Sequence, residues 1–226
     1  MAVWAVIVAA GRGDRLGLGR PKAFAKLNDR PLLAESLERL EWSEWVDSIV
    51  VVAPPDWEEP VILLAEELGC GKVVAAVPGG ETRAASVRAG LGEVPDDAAV
   101  VLVHDAARPV LPEEVIKRLL TALNEGWDGV VPGLPIADTV KRVEGDQVVE
   151  TVDREAFVVA QTPQAFVWPV LRDAAATGED ATDCAALVEA RGGRIKVVPG
   201  HPRLVKVTEP EDLELVAEWL APAAAE

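Results

Sequence analysis

The chain predicts an α/β fold, a doubly wound and mostly parallel sheet, and three observations lead there. Apolar runs of strand length recur at Val3–Ala9, Ser48–Ala53, Lys72–Val77 and Ala98–Val103. They are apolar throughout instead of alternating, as strands buried on both faces are. Segments with helical spacing and helix-end residues lie between them, which gives the strand–helix rhythm of a layered α/β domain.

The helices follow from their spacing and their ends. Pro31–Leu40 places Leu33, Leu37 and Leu40 on one face. Asp56–Leu68 follows Pro54-Pro55, with Asp56 as candidate N-cap. Thr82–Ala89 is expected to end at Gly90 as a C-cap. Pro112–Leu123 opens with proline in its first turn and two glutamates beside the positive helix end. After Val131 the rhythm breaks. Asp138–Val143 and Gln147–Val152, joined by Glu144-Gly145-Asp146, read as a β-hairpin inserted into the domain. A short strand at Phe157–Gln161, a helix at Trp168–Ala176, a helix at Asp183–Arg191 capped by Thr182, and a strand at Arg194–Val198 follow. The last helix, Pro210–Leu220, carries a capping box over Thr208–Glu211. The expected organisation is one domain over residues 1–226, with 136–154 as a projecting arm.

Composition narrows the function classes. At 226 residues the chain can bury roughly 70% of its unfolded surface, so it needs no disulfide or metal to hold a core. Lys plus Arg is 22 and Asp plus Glu is 38, so the net charge is 22 − 38 = −16. A chain so acidic repels a phosphate backbone and an anionic membrane surface, which argues against nucleic-acid and membrane partners. Cys70 and Cys184 are far apart and form no CxxC pair, which argues against a disulfide framework and against a structural zinc site. Met1–Ala10 lacks a basic segment ahead of its apolar run and reads as a buried strand, so a cytoplasmic protein is expected.

Against that acidic background one loop reverses sign. Ala10-Gly11-Arg12-Gly13-Asp14-Arg15 follows the first strand, and Arg12, Arg15, Arg20, Lys22 and Lys26 put five cations in fifteen residues. Glycines let backbone N–H groups approach an anion, and α/β folds bind ligands at the carboxyl ends of their strands. A phosphate-rich ligand is therefore expected at this loop. It is not a P-loop, since G-x-x-x-x-G-K-[ST] is absent. The dinucleotide fingerprint G-x-G-x-x-G also fails, because Leu16 stands at its third glycine and the second strand ends Ala53-Pro54-Pro55 without a ribose-binding carboxylate. An NAD-dependent oxidoreductase is disfavoured accordingly.

Two further segments carry candidate chemistry. In His104-Asp105-Ala106-Ala107-Arg108-Pro109, Asp105 lies at the end of a buried strand, where a carboxylate can hold Mg²⁺ against phosphate oxygens. Arg108 can fork onto a phosphate, while His104 fits a packing role better than catalysis. In Pro78-Gly79-Gly80-Glu81-Thr82-Arg83, two glycines free the backbone to read a base edge, and Ser86 lies one helical turn past Thr82. A simple turn with Thr82 as N-cap explains that spacing equally well.

Taken in order, the glycine loop with Pro21-Lys22, Pro78-Gly79-Gly80 with Arg83 and Ser86-Val87, His104–Pro109, Asp138-Thr139-Val140-Lys141, Thr151-Val152-Asp153-Arg154, Gln161-Thr162-Pro163-Gln164, Thr182-Asp183 and Lys206-Val207-Thr208 resemble the 2-C-methyl-D-erythritol 4-phosphate cytidylyltransferase family of the non-mevalonate isoprenoid pathway. The resemblance runs from Ala9 to Leu213. It implies a Rossmann-like nucleotidyltransferase fold and attack of a methylerythritol phosphate oxygen on the α-phosphorus of CTP, with pyrophosphate leaving. It implies Arg15 and Lys22 on the triphosphate, Ala10, Gly11 and Gly13 as backbone contacts to CTP, and Gly79, Gly80 and Ser86 on cytosine and ribose. Asp105 would hold Mg²⁺ or another divalent cation, with Ala106 beside the nucleotide. Thr139, Arg154, Thr162 and Lys206 would position the methylerythritol phosphate, with Arg108 beside them. The hairpin arm would reach into a second copy, making a homodimer part of the mechanism. A cytidylyltransferase for another polyol phosphate, such as ribitol 5-phosphate, would share these motifs. The chain departs from the pattern in two places. Where the family commonly has an acidic residue and an asparagine shortly before Lys206, it has His201 and Leu204, and the acidic residue often following Thr182-Asp183 is Cys184. A local packing change is expected there.

Overall fold

The computed structural model describes residues 2–17 and 19–221, without the Arg15 side chain. Its elements are β1 Val3–Val8, β2 Lys26–Leu27, β3 Arg30–Pro31, α1 Leu32–Trp42, β4 Ser48–Ala53, α2 Glu58–Glu67, β5 Val73–Pro78, α3 Arg83–Leu91, β6 Val100–Asp105, α4 Glu113–Leu123, β7 Gly129–Pro135, β8 Val140–Glu144, β9 Gln147–Val152, β10 Val158–Ala160, β11 Gln164–Val167, α5 Trp168–Ala175, α6 Cys184–Glu189, β12 Ile195–Pro199 and α7 Pro210–Leu220. An eight-stranded sheet organises them. Strands β5, β4, β1 and β6 lie side by side and parallel. Antiparallel β11 joins β6 to β7, and β12 pairs in parallel with β7.

Winding on both faces explains the unbroken apolar strands. Ala5, Ile7, Ile49, Val51 and Leu102 face a core shared with Leu33 and Leu37 of α1, Val61 of α2 and Ile116 and Leu119 of α4. The alternate residues Val6, Val50, Val52, Val101 and Val103 face Val87 of α3, Trp168 and Leu171 of α5 and Val188 of α6. Strands β1, β4 and β6 therefore bury both of their side-chain rows, and alternation vanishes from their sequence; β5, expected to be buried likewise, is the sheet's edge strand and leaves Val74 exposed. A third cluster joins Leu16, Leu27, Val110 and Val207 to Val216 of α7. It fastens the glycine loop to the segment that carries Lys206.

The structure moves several expected boundaries. Helix α3 runs through Gly90 to Leu91, so Gly90 is an interior residue and Gly92 is the C-cap. Asp56 is not the cap of α2; Trp57 holds that position, and Asp56 has φ 67° in the preceding turn. Asp183, not Thr182, caps α6, accepting from Ala186 N–H at 2.9 Å. The box at α7 is shifted by one residue, with the Asp212 carboxylate accepting from Thr208 N–H and Glu209 N–H at 2.7 and 2.9 Å. Strands β7 and β11 escape the sequence pattern. Pro132, Gly133 and Pro135 interrupt the β signal of β7, and β11 is only four residues long.

The hairpin stands as expected in sequence and apart from the sheet in space. Strands β8 and β9 pair only with each other among the described strands, and residues 141–151 are all exposed. No helix among the described residues is long and apolar enough to cross a membrane. Cys70 and Cys184 are both free and buried, and burial pushes both thiols up to about 11.

Candidate functional site

The carboxyl ends of β1, β5 and β6 open into a cleft of about 800 Å³. Its floor is Val8–Gly11 and Asp105–Ala107; Gly79–Arg83 and Ser86 form one wall, and Arg12, Lys22 and Lys206 bring positive charge. The sheet places the β1 and β6 ends side by side, since Val8 is in register with Asp105. Three segments separated by up to a hundred residues in sequence thus share one concavity, where parallel sheets bind ligands.

The glycine loop folds back on itself through Lys22 N–H to Gly11 C=O at 3.2 Å. Gly13 has φ 74°, and a Cβ there would stand 2.8 Å from Lys22 Cβ, so the turn that brings Lys22 to the cleft admits only glycine. The five cations of the loop separate. Arg12 and Lys22 reach the cleft, whereas Arg20 and Lys26 line a neighbouring groove beside the Phe24–Trp57 ring pair. The Arg15 side chain lies outside the described residues.

Asp105 is the electrostatic centre. Its Oδ1 accepts from Arg83 Nη2 at 3.0 Å and Nε at 3.2 Å, and its Oδ2 accepts from Lys206 Nζ at 2.8 Å. Burial disfavours the charge, yet Arg83 and Lys206 hold the carboxyl well below the usual carboxylate range. Behind it, Asp105 N–H donates to Thr162 Oγ1 at 3.0 Å, and Thr162 Oγ1 meets His104 Nδ1 at 3.3 Å. His104 is fully buried, and burial lowers its pKa to about 4, so it is neutral at physiological pH. Nε2 lies 3.0 Å from the Arg108 carbonyl, which can only accept, so the proton is assigned to Nε2 and the Thr162 hydroxyl donates to Nδ1. This hydrogen-bonded column fixes the end of β6.

The remaining expected residues fall into three groups. Ala10, Gly11, Gly79, Gly80, Ser86, Asp105, Ala106, Lys22 and Lys206 line the cleft, and Gly13 lies under the loop. The Ser86 hydroxyl donates to Thr82 C=O at 3.0 Å and accepts from Gly80 N–H at 3.1 Å, so it shapes the Gly79–Gly80 wall. Thr162 and Arg108 stand behind the cleft: Thr162 supports Asp105, and Arg108 Nη1 donates to Leu204 C=O at 2.6 Å. Thr139 and Arg154 lie on the exposed arm, where Arg154 donates to Ala137 C=O, and neither lines this chain's cleft.

The departures also resolve. His201 does not face Asp105. Its Nδ1 accepts from Arg203 N–H at 3.1 Å, and its Nε2 lies 3.8 Å from Glu114. Leu204 is fully buried. Cys184 Sγ lies 4.0 Å from Arg83 Nη1. Arg83 lies within the Pro78–Arg83 segment, and its role emerges only from the fold. Its signal is a cation in the first turn of a helix that has no acid there, against the helix dipole.

No group of three or more His, Cys, Asp or Glu residues able to hold a metal occurs among the described residues. A protein-built cage is therefore absent from them. The donor set does fit a cation of the magnesium type, which is held by one or two carboxylates and completed by water and phosphate oxygens. Of the cleft carboxylates, Asp105 at the end of β6 could supply one such ligand.

Comparison with known proteins gives a consistent result. The family model described as IspD, 2-C-methyl-D-erythritol 4-phosphate cytidylyltransferase, matches residues 3–221. A protein of that name from Saccharopolyspora erythraea is 46% identical over 226 residues, covering 98% of this chain and all of the relative. One from Streptomyces avermitilis is 44% identical, covering 96% of this chain and 91% of its own. The crystal structure of the Thermus thermophilus protein of that name superposes with a TM-score of 0.77 at 34% identity, covering 95% of this chain and 96% of that one.

Proposed function

The chain belongs to the 2-C-methyl-D-erythritol 4-phosphate cytidylyltransferase family, and on that premise we propose how its residues carry out the transfer. The reaction passes a cytidylyl group from CTP to 2-C-methyl-D-erythritol 4-phosphate in isoprenoid precursor synthesis. An acceptor phosphate oxygen forms a bond to the α-phosphorus, the bond from that phosphorus to the bridging oxygen breaks, and pyrophosphate leaves. No covalent enzyme intermediate is needed. The protein brings two anions together and neutralises the charge that develops.

The observation that carries this reading is the gathering of Arg12, Lys22, Arg83 and Lys206 at one cleft of an acidic chain, with the Asp105 carboxylate held by Arg83 and Lys206. Lys22 and Arg15 take the triphosphate and stabilise the transition state, and Gly11 and Gly13 offer backbone N–H groups beside them. The Ala10 side of the floor and the Gly79–Gly80 wall take the cytosine and ribose, with Ser86 keeping that wall in shape. Asp105 would hold a divalent cation, which when bound would offset phosphate charge. Lys206 moves from Asp105 to the acceptor phosphate. Thr162 and Arg108 act from behind, through Asp105 and the Leu204 carbonyl. At 4 Å two unit charges repel by about 1 kcal/mol in water and several times more in a partly dry cleft, which is what these cations offset.

Thr139 and Arg154 serve the cleft of a second copy in this reading, so the enzyme works as a homodimer joined through the 136–154 arm. Support comes from the arm itself. A two-stranded ribbon with nearly every residue exposed is marginal alone. It carries Val143, Val148 and Val149 outward, and β10 beside its base exposes Val158 and Val159. Those apolar groups need a cover.

Pyrophosphate release tests the scheme. It is expected with CTP and methylerythritol phosphate in the presence of Mg²⁺, and not with ATP, GTP or UTP; ribitol 5-phosphate as acceptor runs in parallel. Release from ATP at the CTP rate would remove the base-reading role of the Gly79–Gly80 wall. The arm is tested by mixing two inactive variants, Lys22→Ala and Arg154→Ala. In a mixed dimer one site combines the intact Lys22 of one copy with the intact Arg154 of the other, so about a quarter of wild-type activity returns after subunit exchange. Absence of any recovery, with mixed dimers demonstrated by mass spectrometry, would place Arg154 in its own chain's reaction.

A further inference from the structure

We infer that Arg83 is a positioning residue for the transfer: it fixes one oxygen of Asp105, so that only the other is exchanged when nucleotide and cation arrive. This rests on the reading that Asp105 holds the cation.

The argument begins with an unfavourable placement. Arg83 is the first residue of α3, whose first turn contains no acid. A cation there opposes the positive helix end, an unfavourable placement that a polar or acidic residue would avoid. The helix start itself does not need it. Thr82 is the N-cap, accepting from Ala85 N–H at 3.1 Å, and Thr82 Oγ1 donates to Asp180 at 2.8 Å. Residues that break a local rule tend to serve a site.

The geometry says which service. Two nitrogens of Arg83, Nε and Nη2, converge on the same oxygen of Asp105, and the third, Nη1, points to buried Cys184. The guanidinium is three-quarters buried and the carboxylate nine-tenths buried, so neither rotates freely into water. Lys206 differs: its side chain is 44% exposed, it ends in a flexible stem, and it holds Oδ2 through a single contact. One partner is rigid and the other is free to leave. When Lys206 moves to a phosphate, Oδ2 opens while Oδ1 stays clamped, and the carboxylate keeps its orientation. Second partners that orient a metal-binding carboxylate typically contribute about 10–100-fold to affinity or activity.

The test compares Arg83→Met, Arg83→Lys and Asp105→Asn with wild type. Three quantities are read: the affinity of the protein–CTP complex for Mn²⁺, from the EPR signal of free Mn²⁺; kcat and KM at saturating and limiting Mg²⁺; and the thermal midpoint. Arg83→Met is expected to weaken Mn²⁺ binding about tenfold and lower kcat by about as much, with KM for the acceptor unchanged and kcat partly restored by excess Mg²⁺. Arg83→Lys, which keeps the charge without the two-nitrogen grip, falls between. Should Arg83→Met fail to fold, Arg83→Lys alone makes the comparison. Wild-type Mn²⁺ affinity in the Arg83 variants, beside its loss in Asp105→Asn, overturns the inference and leaves the Asp105 reading standing. A raised KM for CTP without a change in Mn²⁺ affinity also overturns it, by making Arg83 a direct phosphate ligand. Wild-type Mn²⁺ affinity in Asp105→Asn removes the underlying reading, and this inference with it.

Discussion

Asp105→Asn is expected to lower kcat for cytidylyl transfer by about 10²–10³, the loss typical when a centre of transition-state electrostatics is removed. Asparagine fits the same space and still offers an oxygen. It cannot carry the charge that sits between Arg83 and Lys206, and it is a poor ligand for a magnesium-type cation. The substitution also makes the cleft more positive by one charge, so attraction for the triphosphate is retained and KM for CTP changes little. Loss in kcat with KM nearly constant is the signature of an interaction realised in the transition state. Stability falls by about 1–2 kcal/mol, because the two cations lose their counter-charge but are partly exposed and screened. Steady-state rates and a melting curve check both halves. A kcat within threefold of wild type would show that the carboxylate does not sit at the reacting centre.

Gly90→Val is expected to be the most damaging single change away from the cleft. A Cβ on Gly90 would stand 2.5 Å from Val6 Cγ1 and 2.6 Å from Val52 Cγ2. Those methyl groups belong to the central strands β1 and β4, where both valines are fully buried, so they have nowhere to go. The helix must lift from the sheet or the strands must part, at about 3 kcal/mol for overpacking of this kind. In a chain of this size that lowers the melting midpoint by roughly 6–12 °C. Because α3 carries Arg83 and Ser86 into the cleft, activity at a temperature where the variant is still folded is expected to fall as well. Gly90→Ala gives a smaller loss, since better helix propensity returns up to about 1 kcal/mol. If Gly90→Ala stabilised the protein, the close approach of α3 to the sheet would be wrong.

These two positions mark what could and could not be read without coordinates. Asp105 was legible because a carboxylate ending an apolar run is conspicuous, and the β1 loop because its cations contradict a net charge of −16. The strand runs were legible since burial on both faces leaves an unmistakable apolar stretch. Cap positions differ by a residue because Thr182 and Asp183 are adjacent and both good caps, and because Glu209, an uncommon N-cap, takes the place beside the more usual Thr208. Gly90 looked like a helix stop because a glycine near a helix end resembles a C-cap, whatever lies across from it.

Short-range spacing and local charge were enough to specify the two-sided sheet, the hairpin and the basic glycine loop, because each is written within a few neighbouring residues, and the order of several such motifs along the chain specified the family. It took the folded chain to show that Arg83 and Lys206 grip opposite oxygens of Asp105, that Thr162 and His104 support it from behind, and that Gly90 is a contact surface. Those relations join residues tens to a hundred positions apart. Their partners are chosen by strand order and helix packing, which no local pattern encodes.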